Sequence, residues 1–428
     1  MAECAPVSAH FAALRHRNYR LIWIGQGISF SGSMMQSAAL LWHVSLLVPA
    51  GQKGLALGLV GLSRVVPIVA FSLISGVIAD AVDRRKLMLV TQTAMALIAL
   101  ALALYAFKGG TLLWPIYGLS ALGAAAGAFD GPARQSLVPT LVPREDLPNA
   151  ISLNTIMFQV AAVLGPSIAG IVIATLGVGW VYALNAVSFV AVIIALLSMR
   201  GLVETAAHER GEVSLAAAAE GLKFVFSQPL IRSTMLLDFF ATFFSSATAL
   251  LPIFAQDILK VGATGYGWLY AAPSVGAMLA GAVMVRVSQK IDHRGRVLLV
   301  AVAFYGLATV VFGFSRIFWV TFLCLAATGA ADTVSMVLRN VVRQLATPDR
   351  MRGRMTSVNM IFFMGGPQLG ELEAGLVAQA FSAPISVVTG GIGCLVATAI
   401  TAWRTPVLRG YRKDAAPVLA GATSQANG

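Results

Sequence analysis

The sequence predicts an all-α polytopic membrane protein of about 12 transmembrane helices, in two six-helix bundles related by pseudo-two-fold symmetry. Three observations lead there: the composition, the length of the apolar runs, and a likeness between the two halves of the chain. Of 428 residues, 58% are hydrophobic and only 11% are charged, whereas a soluble domain carries about a quarter charged residues. A spanning helix needs roughly 20 apolar residues to cross a hydrocarbon core about 30 Å thick. Backbone amides find no water in that layer, so only helices and closed barrels can span it. The apolar runs here are too long and continuous for the alternating pattern of a membrane barrel.

Taken in order, hydropathy places spans near residues 20–46, 55–79, 87–107, 112–132, 149–175, 177–199, 231–256, 263–287, 296–314, 317–338, 355–380 and 384–403. The opening stretch MAECAPVSAHFAALRHRNYR lacks the basic start and short apolar core of a cleavable signal, so the first span would itself direct insertion. The net charge is +12, and its distribution decides its meaning. Of the 30 Lys and Arg, only Lys53, Lys108, Lys260 and Arg316 fall in the second set of alternating loops, and Arg64 lies within a span. That asymmetry places both termini in the cytoplasm. A basic membrane-facing surface then accounts for the charge, and no nucleic-acid partner is expected. The three cysteines have no paired spacing for metal or redox work.

Two halves are visible: residues 1–200, a linker at 201–230, residues 231–404, and a cytoplasmic tail at 405–428. The linker contains EVSLAAAAEGLKFVFSQP, whose apolar positions recur at helical spacing, as in a helix lying at the membrane interface. At a constant offset of 205 residues, Arg134 meets Arg339, Pro143 meets Pro348, Ser152 meets Ser357 and Asn154 meets Asn359. Gly165 then meets Gly370, and Gly170 meets Gly375. GLSRVVP (61–67) parallels GWLYAAP (267–273), one residue out of phase. Parallel repeats of this kind give two bundles that can rock around a site between them.

The loop after the second span reads GVIADAVDRRK (76–86). It resembles the signature loop of the major facilitator superfamily, through Gly76, Asp80, Arg84, Arg85 and Lys86. Asp83 stands where that family usually has glycine. The resemblance covers nearly the whole chain. It implies that Asp80 latches to the start of span eleven when the cytoplasmic side is closed, and that Arg84 or Arg85 extends the latch to Asp130 on span four. FDGPARQSLVPTLVPREDLPNA and GQGISFSGSMMQSAALLWHV resemble one branch of the superfamily, which holds drug–proton antiporters, macrolide efflux proteins and the enterobactin exporter. VLGPSIAG resembles the antiporter Gly-Pro motif, with Gly165, Pro166 and Gly170 bending and packing span five.

Ionisable residues inside spans are costly and therefore functional candidates. Arg64 would meet an anionic substrate or pair with a carboxylate. Glu371, Glu373 and Asp238 are candidates for proton coupling, while Asp130 and Asp332 lie nearer the cytoplasmic ends. Gln26, Ser29, Ser33 and Gln36 form a polar stripe that must face protein or a cavity. Phe239, Phe240, Phe243 and Phe244 would suit a bulky apolar ligand or simply pack between helices.

The expected function is proton-driven export of amphipathic small molecules, drugs or a siderophore, from a bacterial inner membrane. Partners would be the substrate, protons and the lipid bilayer, with no cofactor and, by resemblance, a monomer. Uptake, or movement of lysolipid-type substrates, is the alternative within transport. A membrane-embedded enzyme would need a clustered nucleophile and base, which the chain does not supply. An ATP-driven pump would need a GxxxxGK[ST] loop, which is absent from the sequence.

Overall fold

The computed structural model describes residues 7–200, 215–348 and 351–413; some side chains within α2, α7 and α13 also lie outside that description. After a short 3-10 stretch at Val7–Arg15 come α1 (Arg17–Leu47), α2 (Lys53–Ala81), α3 (Arg84–Phe107), α4 (Leu113–Leu137), α5 (Leu147–Thr175) and α6 (Val178–Ser198). The linker holds α7 (Leu215–Ser227). The second half comprises α8 (Pro229–Phe244), α9 (Leu251–Ile253), α10 (Gly262–Val287), α11 (Arg294–Phe314), α12 (Phe318–Ala346), α13 (Arg352–Ala380), α14 (Ala383–Arg404) and α15 (Pro406–Arg409). No strand occurs among the described residues.

Nine helical stretches among the described residues are long and apolar enough to cross a bilayer. Three further helices, α1, α4 and α13, have 31, 25 and 29 residues and match the remaining expected spans. They fall short on hydropathy because they carry the polar stripe, the Asp130–Arg134 pair, and Glu371 with Glu373. The fold is an all-helical, multi-pass membrane fold.

Among the described residues, span seven is where a continuous helix gives way. Helix α8 stops at Phe244, a 3-10 turn covers Ala247–Leu250, and Phe254–Ile258 is wound as a π-helix. Two serines and Pro252 lie at the break. Ser246 Oγ donates to the Pro367 carbonyl at 2.9 Å, so a neighbouring helix supplies a partner where the local ladder is interrupted.

Contacts divide the chain into two units, Met1–Pro49 with Ser63–Gly211 and Val261–Ala271, and Ala50–Leu62 with Glu212–Lys260 and Ala272–Gly428. Each unit thus takes a short segment from the other half of the sequence. In the first unit, Tyr19, Ile22, Met88, Leu137, Leu153 and Leu196 form a buried cluster. The Tyr19 hydroxyl donates to the Ala150 carbonyl at 2.8 Å and contacts Asn154 Oδ1 at 3.0 Å, which gives one repeat asparagine its place. In the second unit, Leu237, Leu298, Val302, Leu338, Val342 and Cys394 form the corresponding core.

Candidate gating seams and buried charge clusters

The repeated glycines have a common physical reason. In the first unit, a Cβ on Gly170 would lie 2.7 Å from the Ala263 carbonyl oxygen and 2.9 Å from Gly267 Cα. A Cβ on Gly267 would lie 2.5 Å from the Pro166 carbonyl oxygen. In the second unit, a Cβ on Gly375 would lie 2.5 Å from the Gly54 carbonyl oxygen and 2.7 Å from Gly58 Cα. Real Cβ atoms do not approach backbone so closely, so each seam brings two helices together with no side chain between them. Gly165 and Gly370 repeat the pattern. Gly165 faces Ser31 and Met34 of α1, and Gly370 faces the Phe243 carbonyl and Ser246.

The second unit closes its seam with a residue that sequence reasoning missed. Lys53 Nζ, buried at 7% exposure, donates to Gln256 Oε1 at 2.8 Å and to both Asp257 carboxylate oxygens at 2.9 and 3.1 Å. A lysine at the start of α2 and an acid two hundred positions on give no local signal.

The charged loop departs from expectation. Gly76 and Asp80 fall in the last turns of α2, and their side chains lie outside the described residues. Asp83 caps α3, its Oδ1 accepting from the Arg85 and Lys86 amides at 2.8 and 3.2 Å. Arg84 donates to the Ser136 carbonyl at 3.0 Å and Arg85 to the Leu197 carbonyl at 3.2 Å, rather than to Asp130. Both carbonyls belong to the last turns of α4 and α6, where backbone acceptors lack helical partners and the dipole favours cations. In this structure neither arginine reaches Asp130. Fully buried Asp130 is held instead by Arg134, by Thr91 Oγ1 at 2.9 Å and by Gln92 Nε2 at 2.9 Å. Arg134 also stacks over the Phe30 ring at 4.3 Å.

Arg64 is half-buried and donates from Nε to Ser120 Oγ at 3.1 Å. The polar stripe of α1 faces protein. Gln36 Oε1 accepts from Asn185 Nδ2 at 2.8 Å, and a Cβ on Gly32 would collide with Asn185 and Ser188 of α6. Gln26 and Ser29 are buried, and Ser33 is half-buried. His43, not singled out from the sequence, is buried in the first unit with Nδ1 3.2 Å from the Tyr182 hydroxyl. Phe243 stacks on Phe239 with centroids 5.7 Å apart, and Phe239 meets Phe362 of α13 edge-on at 5.9 Å. Those aromatics pack against one another.

The second unit holds a larger charge cluster. Arg339 of α12, only 2% exposed, lies 2.6 Å from Asp238 of α8 and 3.3 Å from Asp332 of its own helix. Arg343 reaches Asp238 at 3.5 Å. Two cations and two anions balance, which is what buried charges require. Asp238 lies near two guanidiniums, at 2.6 and 3.5 Å, whereas Asp332 has one contact at 3.3 Å and a side chain 42% exposed. A cavity of about 10 Å³ beside Asp332, Ser335, Arg339 and Tyr305 has room for about one water. Glu371 is buried near Gly61, and Glu373 is half-buried two positions on. Among the described residues no group of three or more His, Cys, Asp or Glu could hold a metal ion.

The chain combines a multi-pass helical fold with paired glycine seams and buried ion pairs, and the family and relatives it matches are those of a transporter. A family model described as "Transmembrane secretion effector" matches residues 8–420, and the chain belongs to that family of the major facilitator superfamily. It is 27% identical over 409 residues to the enterobactin exporter EntS of Shigella boydii serotype 18, covering 95% of this chain and 96% of that one. It is 25% identical over 406 residues to EntS of Escherichia coli O1:K1 / APEC, with the same coverage. The fold is shared with a bacterial homologue of the human lysosomal transporter Spinster, at TM-score 0.70, 14% identity and coverage of 95% and 99%. A bacterial homologue of the iron transporter ferroportin matches at TM-score 0.67 and 15% identity, covering 91% and 98%.

Proposed function

We propose that the protein exports an amphipathic small molecule, a siderophore or a drug, from the cytoplasm across a bacterial inner membrane, exchanging it for protons. Both termini would face the cytoplasm and the unit of function would be the monomer. The observation that carries the proton part is the unequal hold on the two acids of the second unit's cluster. Asp238 shares two arginines and stays the fixed counter-ion. Asp332, with one long contact and an open flank, takes up the proton. Protonation would release one arm of Arg339, and the charge that Arg339 presents would then depend on which side of the membrane last supplied the proton. The groups facing Asp332 are Arg339 from its own helix, Asp238 from α8 and Tyr305 from α11. Alternating access would require each glycine seam to part and reclose once per cycle. The siderophore reading rests on the likeness to enterobactin exporters, at about a quarter identity.

The test is retention of catecholate siderophore, macrolide and dye in a bacterium stripped of its own efflux pumps, with and without a protonophore. Wild type should lower retention, and both the protonophore and Asp332→Asn should abolish that effect. Export that survives the protonophore, with Asp332→Asn matching wild type, would overturn proton antiport. Raised retention by wild type would favour uptake instead.

A further inference from the structure

The second unit carries a groove of about 800 Å³ between α8 and α14, roofed at one end by Phe226 of α7. Its lining is sorted along its length. On α8 the lining runs from Arg232 and Ser233 through Leu236 to Phe240 and Phe244; on α14 it runs back from Gly393 through Val396 and Ile400 to Thr401 and Arg404. The helices are antiparallel: a Cβ on Gly393 would lie 2.9 Å from the Phe244 ring at the end of α8, while α15, which follows α14, packs against α8 and shares a buried cluster with Leu230 at its start. Both polar ends therefore coincide, with the two arginines together at one mouth. Gly393 leaves the far end open where any side chain would meet Phe244.

We propose that this groove binds one acyl chain of an anionic phospholipid, with the lipid phosphate on Arg232 and Arg404. Charge complementarity selects the headgroup. No carboxylate lines the groove, and among the described residues neither arginine is in an ion pair. Arg232 Nη1 makes a 3.4 Å contact to the Phe226 carbonyl, which turns its fork toward the mouth beside α7. Length selects the chain. Arg232 to Phe244 spans roughly 18 Å at 1.5 Å per helical residue, close to one leaflet of a hydrocarbon core about 30 Å thick. Phe240, Val396 and Ile400 are 38%, 51% and 47% exposed, so the wall is apolar and open where lipid tails would lie. Basic pockets between membrane helices are a recognised way to hold anionic headgroups.

The full chain in a neutral detergent would be examined by native mass spectrometry with added dioleoylphosphatidylglycerol or dioleoylphosphatidylcholine. One phosphatidylglycerol should be retained in preference. Arg232→Gln with Arg404→Gln should weaken that retention roughly 30-fold, the effect of two arginines near an anionic surface, and Arg316→Gln should leave it unchanged. Ala397→Trp, which fills the groove, should block it. A phosphatidylglycerol with a photoreactive acyl chain should label α8 and α14 peptides of the wild type, a readout that needs no variant. Equal retention in the arginine or groove-filling variants, or labelling elsewhere, would overturn the proposal. Displacement of the lipid by inorganic phosphate alone would also overturn it, since the site would then be an anion site without a chain.

Discussion

Arg134 and Arg339 occupy the same place in the sequence repeat, yet they sit in very different company. Arg134 meets one acid four residues back on its own helix, and that acid is also held by a threonine and a glutamine from α3. Every group there is neutral or paired at short range, and the pair keeps α3 and α4 in register. Arg339 meets two acids from two helices and shares one with Arg343. One acid, Asp332, has a single 3.3 Å contact and lies beside a water-sized space that Tyr305 and Ser335 also line. Duplication supplied the same cation twice. What differs is the number of helices the cation ties together, and whether an acid is left able to exchange its partner. On the proposed reading the first cluster holds and the second changes.

The comparison can be broken most easily at the arginines. Arg339→Met should destabilise the protein by about 3–5 kcal/mol, because it leaves buried Asp238 with only the more distant Arg343 and Asp332 with no cation. Arg134→Met should cost less, about 1–3 kcal/mol, since Thr91 and Gln92 still satisfy Asp130 and lose only one charged partner. Thermal unfolding in detergent reads both, and equal losses would remove the distinction. Next come the seams. Leucine at Gly375 or at Gly170 would place a side chain where backbone already lies, so transport should fall by at least about tenfold, of the order of 1.4 kcal/mol or more. Normal transport by either variant would show that its seam is not a moving contact. The smallest effect is expected in the charged loop. Arg84→Gln and Arg85→Gln each remove a cation from a helix C-terminus, worth about 0.3–1 kcal/mol. A large loss of transport with unchanged stability would restore the direct latch to Asp130.

Much of this was legible before any coordinates. Apolar runs end where charge begins, so the ends of most helices lie within a few residues of the expected spans. The repeat glycines were legible as matched positions, and their meaning came only with the backbone that each one faces. The break in span seven was hidden because Phe, Ser, Ala and Leu read as a continuous apolar run; at the break Gly370 and Gly390, having no side chains, leave room for the carbonyls of Phe243 and Phe244. Partner choice was the least visible. Arg84 and Arg85 serve helix carbonyls that no side-chain pattern reveals, and Lys53 with Asp257 and His43 with Tyr182 pair across long stretches of chain.

The contrast between a fixed pair and an exchanging one is tested most directly by infrared difference spectroscopy of the reconstituted protein between neutral and acidic pH. A protonated-carboxyl band that grows on acidification should be present in the wild type and in Asp130→Asn, and missing in Asp332→Asn. A band that persists in Asp332→Asn and disappears in Asp130→Asn would place the exchanging acid in the first unit and contradict the assignment.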